Sequence, residues 1–140
     1  MESAQAQFMS LLKISGYSIT TPRLLVFEML YTYGLQTISQ LIIRSAPCDR
    51  ASVYRSVELL ENLGVVNRIQ QGFKYKLELS EIFLPHHHHI VCTKCGRHTD
   101  VEQNKLEELL TAIAENENFT LTSHKVELSG ICSGCLTIKE

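Results

Sequence analysis

Apolar residues recur at three- and four-residue intervals through the first half of the chain. This spacing places them on one face of a helix and predicts four helices, which begin near Ala4, Thr20, Thr37 and Asp49. Two of these starts carry a capping signal. The segment TTP combines a hydroxyl side chain with a proline in the first turn, and Asp49 directly precedes the fourth helix.

After Gly64 the helical spacing gives way to an alternation of apolar and polar residues. The segments VVNRIQ and FKYKLEL flank a short turn that contains glycine, which predicts a β-hairpin. Three helices followed by a hairpin form the winged-helix arrangement. In that arrangement the last helix enters the major groove of DNA and the hairpin, or wing, lies along the backbone. The first half therefore predicts a winged-helix DNA-binding domain.

The second half has the pattern of a small module of strands with one helix. We predict a strand over HHHHIVC, a second strand from His98 to Val101, a helix from Glu102 to Glu115 and a third strand over FTLTSHKVELSGIC. The predicted fold class is therefore α+β. The predicted boundaries are residues 1–80 for the winged helix, 81–85 for a hinge and 86–140 for the second domain.

Composition and charge limit the compartment and the partners. Of 140 residues, 44% are hydrophobic and 20% are charged, which is typical of a globular protein. The chain has no apolar run long enough for a membrane span and no signal-peptide pattern, so we expect a cytoplasmic protein. The net charge is −2. Any affinity for DNA must therefore come from a local basic face and from dimerisation.

Four of the five cysteines form two Cys-x-x-Cys pairs. Two such turns can supply the four thiolates of a tetrahedral zinc site, and a closed site of this kind is structural. A redox-active disulfide pair is the main alternative, although disulfides rarely persist in a reducing cytosol. Cys48 stands apart from the pairs, and we interpret it as a small apolar residue. The predicted zinc ligands are Cys92, Cys95, Cys132 and Cys135.

The run from His86 to His89 offers a second set of metal ligands. Neighbouring side chains of a strand point to opposite faces, so His86 and His88 would share one face and His87 and His89 the other. This alternation predicts two separate half-sites rather than one cluster of four histidines. Candidate residues to complete them are Asp100, Glu107, His124, Glu78 and Glu81.

The order of these segments resembles the ferric uptake regulator (Fur) family. The similar segments lie within residues 8–135 and are TTPRLLVFEML, DRASVYRSVELLENLGVVNRI, HHHHIVCTKCG, LTSHKVELSG and CSGC. The resemblance implies an N-terminal winged helix and a C-terminal dimerisation domain with a four-cysteine zinc site. It also implies that a metal bound at the hinge sets the two winged-helix domains of a homodimer at the spacing needed to bind DNA.

The resemblance implies two metal sites in addition to the four-cysteine site, and this sequence matches one of them fully and the other in part. It implies a fully matched site of His86, His88, Glu107 and His124. A second, sensing site is matched in part: His87, His89 and Asp100 are present, and Glu78 or Glu81 would complete it. Leu35 and Lys76 stand where relatives have a histidine and an acid. A histidine and carboxylate set suits Fe²⁺, Zn²⁺ or Mn²⁺, so the regulatory metal stays open.

The resemblance also implies which residues touch DNA. Base contacts fall on the N-terminal part of the fourth helix, at Ser52, Tyr54 and Arg55. Phosphate contacts, which position the protein without reading sequence, are expected from Arg23, Arg50, Arg68 and Lys74.

The resulting hypothesis is a metal-dependent repressor of metal-uptake genes that binds a palindromic double-stranded operator. Two alternatives are a peroxide-sensing repressor of the same family and a zinc-dependent hydrolase. We favour a regulator over an enzyme, because a zinc ion held by four cysteines has no open coordination position and no hydrolase or deaminase motif is present.

Overall fold

A computed structural model describes residues 2–71, 74–85, 87–101, 104–124 and 126–137. The chain divides into two compact units, Met1–Pro85 and His86–Glu140. Together the units contain the helices and sheets expected of the α+β class, and the predicted fold class is confirmed. Among the described residues, no helix combines the length and the apolar character needed to cross a bilayer.

The first unit consists of four helices and a hairpin, in the predicted order. Its elements are α1 (Glu2–Ile14), α2 (Thr21–Tyr33), α3 (Ile38–Arg44), α4 (Arg50–Asn62), β1 (Val66–Gln71) and β2 (Lys74–Leu79).

Two helices, α3 and α4, begin at side chains that cap them, whereas the Thr20 hydroxyl before α2 makes no capping hydrogen bond. Thr37 and Gln40 form a reciprocal capping box at the start of α3. At α4 the carboxylate of Asp49 accepts the backbone N–H of Ser52 at 2.9 Å. Pro22 occupies the first turn of α2, where its missing N–H costs no helical hydrogen bond.

One apolar core holds the first unit together. The helices and the hairpin contribute fully buried side chains, among them Phe8, Phe27, Leu30, Leu41, Val53, Leu60 and Leu77. Phe8 stacks on Phe27 with ring centroids 4.3 Å apart. Phe83, in the segment predicted as a hinge, packs edge-on against Phe27 at 5.0 Å. That part of the segment is therefore a packed turn of this unit.

The hairpin is the predicted wing. Strands β1 and β2 pair in antiparallel fashion from Val66↔Leu79 to Gln71↔Lys74. The connecting turn at residues 72–73 lies outside the described residues. Gln36 extends the sheet by a two-bond bridge to Leu77, with N···O distances of 2.9 and 2.7 Å. The turn between α2 and α3 is therefore fixed to the wing.

The second unit contains β3 (His88–Cys92), β4 (His98–Val101), α5 (Asn104–Asn116), β5 (Glu127–Gly130) and α6 (Ser133–Leu136). The third predicted strand was too long, since residues 119–124 form no strand. Strand β3 has only five residues, and Glu127–Gly130 is the part of the predicted third strand that pairs with it. The short α6 was not predicted.

The sheet of the second unit has the order β4-β3-β5. Strand β4 is antiparallel to β3, whereas β5 is parallel to it. Because β3 and β5 run in the same direction, Cys92 at the end of β3 lies opposite Gly130 at the end of β5. The two Cys-x-x-Cys turns follow these strand ends and therefore meet at one edge of the sheet.

Candidate functional site

The four paired cysteines form one cluster. The ligand sulfurs of Cys92, Cys95, Cys132 and Cys135 all lie within 4.8 Å of one another. The Sγ atoms of Cys95 and Cys132 are 3.7 Å apart. A metal bound to four sulfurs at about 2.3 Å requires edges of about 3.8 Å, so the cluster has the dimensions of a tetrahedral zinc site. The donor set is suited to structural zinc.

Backbone groups order the cysteine cluster and set its proton affinities. The N–H groups of Cys132 and Cys95 point at Cys92 Sγ and lower the pKa of that thiol to about 6. Hydrogen bonds with the neighbouring thiols raise the pKa of Cys135 to about 12. Cys92 is therefore the first of these two thiols to become a thiolate, and metal binding must displace the remaining protons. Gly96, at φ 72°, turns the chain back after the first pair.

A second cluster lies on one face of β3. Glu107 of α5 places one carboxylate oxygen 2.7 Å from His88 Nε2 and 3.2 Å from His124 Nε2. The ring centroids of His88 and His124 are 5.3 Å apart. The structure thus brings together three of the four residues of this predicted site. The fourth, His86, lies outside the described residues.

The alternate histidines of the run make different contacts. His89 pairs with Asp100 across β3 and β4, with 3.1 Å between Nδ1 and Oδ1. The rings of His87 and His89 are 4.7 Å apart. Within the second unit, these three residues of the predicted sensing site therefore lie together, apart from the partners of His88.

The remaining sensing candidates belong to the first unit. Glu78 is buried in β2 opposite Asn67, and Glu81 is exposed in the turn that follows. Lys76, two residues before Glu78, is half-buried, and burial lowers the pKa of its ammonium group. At Lys76 this chain therefore has a partly desolvated cation where the family resemblance implies an acid.

The N-terminal turn of α4 carries the predicted base-reading residues. Tyr54 is 42% exposed, which excludes an inward-packed ring. The guanidinium of Arg55 donates to Ser52 Oγ at 3.1 Å, and Ser52 Oγ donates to the Asp49 carboxylate at 2.6 Å. Arg50 lies 6.0 Å from the centre of the Tyr54 ring. An exposed aromatic side chain and two arginines thus share this end of the helix.

Arg23 and Arg55 lie along one groove between α2 and α4. The groove has a volume of about 370 Å³ and is lined by Thr20, Pro22, Arg23, Ser52, Arg55 and Ser56. Its two guanidinium groups and its hydroxyl groups can donate hydrogen bonds to phosphate oxygens. Arg23 also donates to the carbonyl of Ser18.

The wing candidates differ in their surroundings. Arg68 makes a two-bond ion pair with Glu61 at 2.8 and 2.7 Å, and its guanidinium covers the Tyr75 ring at 4.1 Å. Lys74 is exposed at the start of β2. Arg68 must therefore share its charge with Glu61 in any contact with phosphate, whereas Lys74 has no such ion pair among the described residues.

His98 is a candidate that the sequence reasoning missed. It lies on β4 with its ring 6.4 Å from that of His89. The available signal was the same alternation that sorted the histidine run, because His98 and Asp100 are two residues apart on one strand. Cys48 is partly buried against the core of the first unit, as expected of a small apolar residue.

Comparisons with known proteins agree with this arrangement. The profile of the ferric uptake regulator family matches residues 14–129. The ferric uptake regulation protein of Vibrio parahaemolyticus is 36% identical over 133 residues, which cover 89% of this chain and 88% of that protein.

Solved structures show the same fold. The Helicobacter pylori ferric uptake regulator superposes with a TM-score of 0.83 at 21% identity, covering 99% of this chain and 95% of the other. The Vibrio cholerae regulator has a TM-score of 0.72 at 30% identity, with 89% and 98% covered.

These matches decide between the functional hypotheses. Members of the matched family regulate transcription, bind DNA and act as dimers, so the hydrolase alternative is rejected. The match also extends over both units, from the winged helix to the strand that leads into the second cysteine pair. The chain belongs to the ferric uptake regulator family of metal-responsive transcriptional regulators.

Proposed function

We propose that a homodimer of this chain represses metal-uptake genes by binding a palindromic operator when a regulatory divalent metal is bound. The observation that carries this proposal is the pair of histidine and carboxylate clusters on the two faces of β3. They share a unit with the four-cysteine site, and the other unit presents Arg50, Tyr54 and Arg55 on one helix end. A regulator that binds an operator needs access to chromosomal DNA, which supports a cytoplasmic location.

In this proposal the metal sites have separate tasks. Zinc at the four cysteines holds the second unit and the dimer, because metal binding and folding are coupled in small sites. His88, Glu107 and His124, with His86, bind a second ion. His87, His89 and Asp100 form the sensing site, to which Glu78 or Glu81 adds an acid. Fe²⁺, Zn²⁺ and Mn²⁺ are the candidate regulatory ions.

The charge distribution explains why a metal switch would be needed. Residues 1–84 carry eight Lys and Arg against seven Asp and Glu, so one winged helix has little net attraction for DNA. Single-head binding is expected in the non-specific range, at about 10⁻⁴ to 10⁻⁶ M at physiological salt. Two heads held at the half-site spacing of a palindrome would add their contacts. The metal shifts this equilibrium only through its higher affinity for the DNA-competent arrangement.

The DNA contacts follow from exposure and partners. Tyr54 is exposed enough to reach a thymine methyl, and Arg55 lies next to it to reach a guanine edge. Ser52 Oγ already donates to Asp49 and accepts from Arg55, so its remaining acceptor lone pair is the group that could meet a donor on a base edge. Arg23, Arg50 and Lys74 would bind phosphates, with Arg68 contributing less because of its ion pair with Glu61.

The test is a binding titration with a duplex selected from a random pool by the metal-loaded dimer. Apo and metal-loaded dimers, both with zinc at the cysteines, are compared by fluorescence anisotropy. We expect the loaded form to bind more tightly and the selected duplexes to be palindromic. Equal affinity of the two forms would refute the metal switch, and selected sites without two-fold symmetry would refute the palindrome.

Two variants separate the recognition of DNA from the response to metal. Arg55→Ala should weaken specific binding by about 1 to 3 kcal/mol without changing the metal content. His89→Ala should leave binding by the apo form unchanged and reduce the gain on adding metal. Arg97→Ala, a change on the exposed surface of the second unit, is the matched control for lost positive charge.

A peroxide-sensing repressor remains a second candidate, because histidine and carboxylate ligands of iron can be oxidised in place. The contact between His89 and Asp100 supplies ligands of that kind. Iron-loaded protein treated with hydrogen peroxide should then gain one oxygen atom on His87 or His89, as measured by peptide mass spectrometry. If the histidines stay unmodified while DNA release still follows metal removal, the sensor responds to metal alone.

A further inference from the structure

His98 occupies the same face of the sheet as the sensing residues. In the antiparallel register, His89 lies opposite Asp100 and Val91 opposite His98. Directly opposed residues share a face, and residues two apart on a strand do so as well. Thr99, between them, points to the other face, as does Ile90, which lies opposite it. His98 therefore faces the side on which His89 and Asp100 make their hydrogen bond.

The His87 and His89 rings already have the spacing of two ligands of one ion, whereas the His98 ring lies farther from His89. A metal at about 2.1 Å from each ring nitrogen lies about 3.2 Å from each ring centroid, so two rings at a tetrahedral angle have centroids about 5 Å apart. His87 and His89 are 4.7 Å apart, and His89 and His98 are 6.4 Å apart. His98 reaches the shared position with a side-chain shift of about 1 Å, which a half-buried histidine on the sheet face can make.

The contact between Asp100 and His89 allows Asp100 to orient that ring without binding the metal itself. Its carboxylate lies 3.1 Å from Nδ1 of that ring. A carboxylate that accepts the Nδ1–H of a metal-binding histidine fixes its tautomer and directs Nε2 to the metal. The Asp100 side chain is 65% exposed, so its other oxygen remains accessible to water.

We propose that His87, His89 and His98 together bind one divalent metal within the second unit, and that Asp100 is the positioning residue that orients His89. This deepens the proposed metal switch and rests on it for its regulatory meaning. His98 supplies a donor to a site in which Leu35 cannot take part. Metal binding by these three histidines then requires no acid from the first unit.

The three-histidine set also narrows the choice of metal. Imidazole ligands suit zinc, copper, iron and nickel, whereas Mn²⁺ suits carboxylate and other oxygen ligands, and Co²⁺ binds nitrogen and oxygen sites more tightly than Mn²⁺. The site should therefore bind Zn²⁺ and Co²⁺ more tightly than Mn²⁺. Competition between Co²⁺ and Mn²⁺ for the dimer measures this directly, and tighter binding of Mn²⁺ would contradict the proposed ligands.

The test is a Co²⁺ titration of the full-length dimer with zinc retained at the cysteines. Glu107→Ala is introduced first, so that the cluster of His88 and His124 loses its central ligand. We expect one cobalt per chain at the remaining site, with visible absorption bands that report its ligands. His98→Ala should weaken this binding by at least about tenfold and change the bands, whereas Thr99→Ala, on the opposite face of the same strand, should change neither.

Asp100 variants separate positioning from ligation. Asp100→Asn keeps an oxygen that accepts the His89 Nδ1–H, so the cobalt bands should stay and affinity should fall less than in Asp100→Ala. Changed bands in Asp100→Asn would identify the carboxylate as a ligand and overturn the positioning role.

The outcomes also distinguish this inference from the proposed function. If His98→Ala leaves cobalt affinity and bands unchanged while DNA binding still depends on metal, the three-histidine site is wrong and the switch stands. If cobalt binding requires His98 but DNA affinity does not respond to metal, the site stands and the switch is wrong.

Discussion

The two units of this chain use different means to hold a fold. The first unit buries large apolar side chains from every helix and from the wing, including Phe8, Phe27 and Leu30 with no more than 2% exposure. In the described part of the second unit, the buried side chains are Val91, Cys92, His88 and His89. Its large apolar residues Leu109, Ile113 and Phe119 are more than half exposed in the single chain.

The difference shows where each unit obtains its stability. Burial of apolar surface stabilises the first unit by itself. The second unit has a small apolar core and a high density of metal donors, so we expect metal coordination and the covering of its exposed apolar side chains in the dimer to supply much of its stability. We therefore expect the first unit to fold without metal and the folding of the second unit to depend on metal.

The largest expected effect is the loss of the structural zinc. Cys132→Ser removes one of four thiolates, and the free energy of binding at such sites is on the order of 10 kcal/mol. We expect the variant to lose zinc and dimerisation while the first unit keeps its helices, as measured by metal analysis, light scattering and amide NMR. Cys48→Ser, which lies outside the cluster, is the control. A zinc-loaded dimeric Cys132→Ser would contradict the assignment.

The converse experiment disrupts the first unit. Leu30 is fully buried in the core, and Leu30→Ala should destabilise that unit by about 2 to 5 kcal/mol through lost burial and a residual cavity. Thermal unfolding should show this unit melting earlier while one zinc per chain is retained. Ile43→Ala, at a site that is 75% exposed, should have little effect. Loss of zinc in Leu30→Ala would show that the units do not fold independently.

A smaller effect is expected from the carboxylate between His88 and His124. Glu107→Gln keeps the shape of the side chain but removes its charge, and affinity for the ion of this cluster should fall by at least about 10-fold, since loss of a partner outside the ligand shell already costs that much. Isothermal titration with Zn²⁺ on dimer whose cysteines are already loaded measures the change. His87→Ala is the comparison, because His87 lies with His89 rather than with Glu107. Equal losses in both variants would contradict the two separate faces.

The smallest effect concerns the cap of the reading helix. Hydrogen bonds from the Ser52 side chain and from the Ser52 backbone N–H lower the pKa of Asp49 below its usual value of 3.8. Ionised Asp49 therefore stabilises α4 above that value, and the stabilisation is lost as the pH falls through the lowered pKa. The Ser52 amide resonance should titrate below pH 3.8, and Asp49→Asn should abolish that titration. A midpoint above this usual value would contradict the cap.

The sequence predicted those parts of the fold and the site that depend on local pattern. The start of α4 after Asp49 follows from a capping group, the hairpin follows from alternation, and the pairing of the cysteine turns follows from repeated spacing. The ion pair between Arg68 and Glu61 was not predictable from spacing, because it depends on how β1 packs beside α4. The length of β5 depends on its partner strand, which local alternation does not report.

His98 illustrates the same limit within the site. Alternation along the predicted strand places His98 on the same face as Asp100, but it does not show which residues of β3 lie opposite them. The neighbours of His98 across the sheet become evident only when the register of β3 and β4 is known. The histidine run was informative because its members are adjacent in sequence, whereas the partners Glu107 and His124 come from distant segments.

The parallel pairing of β3 with β5 has a consequence for biosynthesis. The first cysteine pair leaves the ribosome well before the second, and Cys132 and Cys135 follow only after α5 and β5. The winged helix can therefore fold while the chain is still being made, as N-terminal domains generally do. The zinc site can close only after residues 132–135 have emerged. Retention of zinc thus distinguishes chains that contain the second pair from truncated ones, which would display a DNA-reading head without a stable dimer.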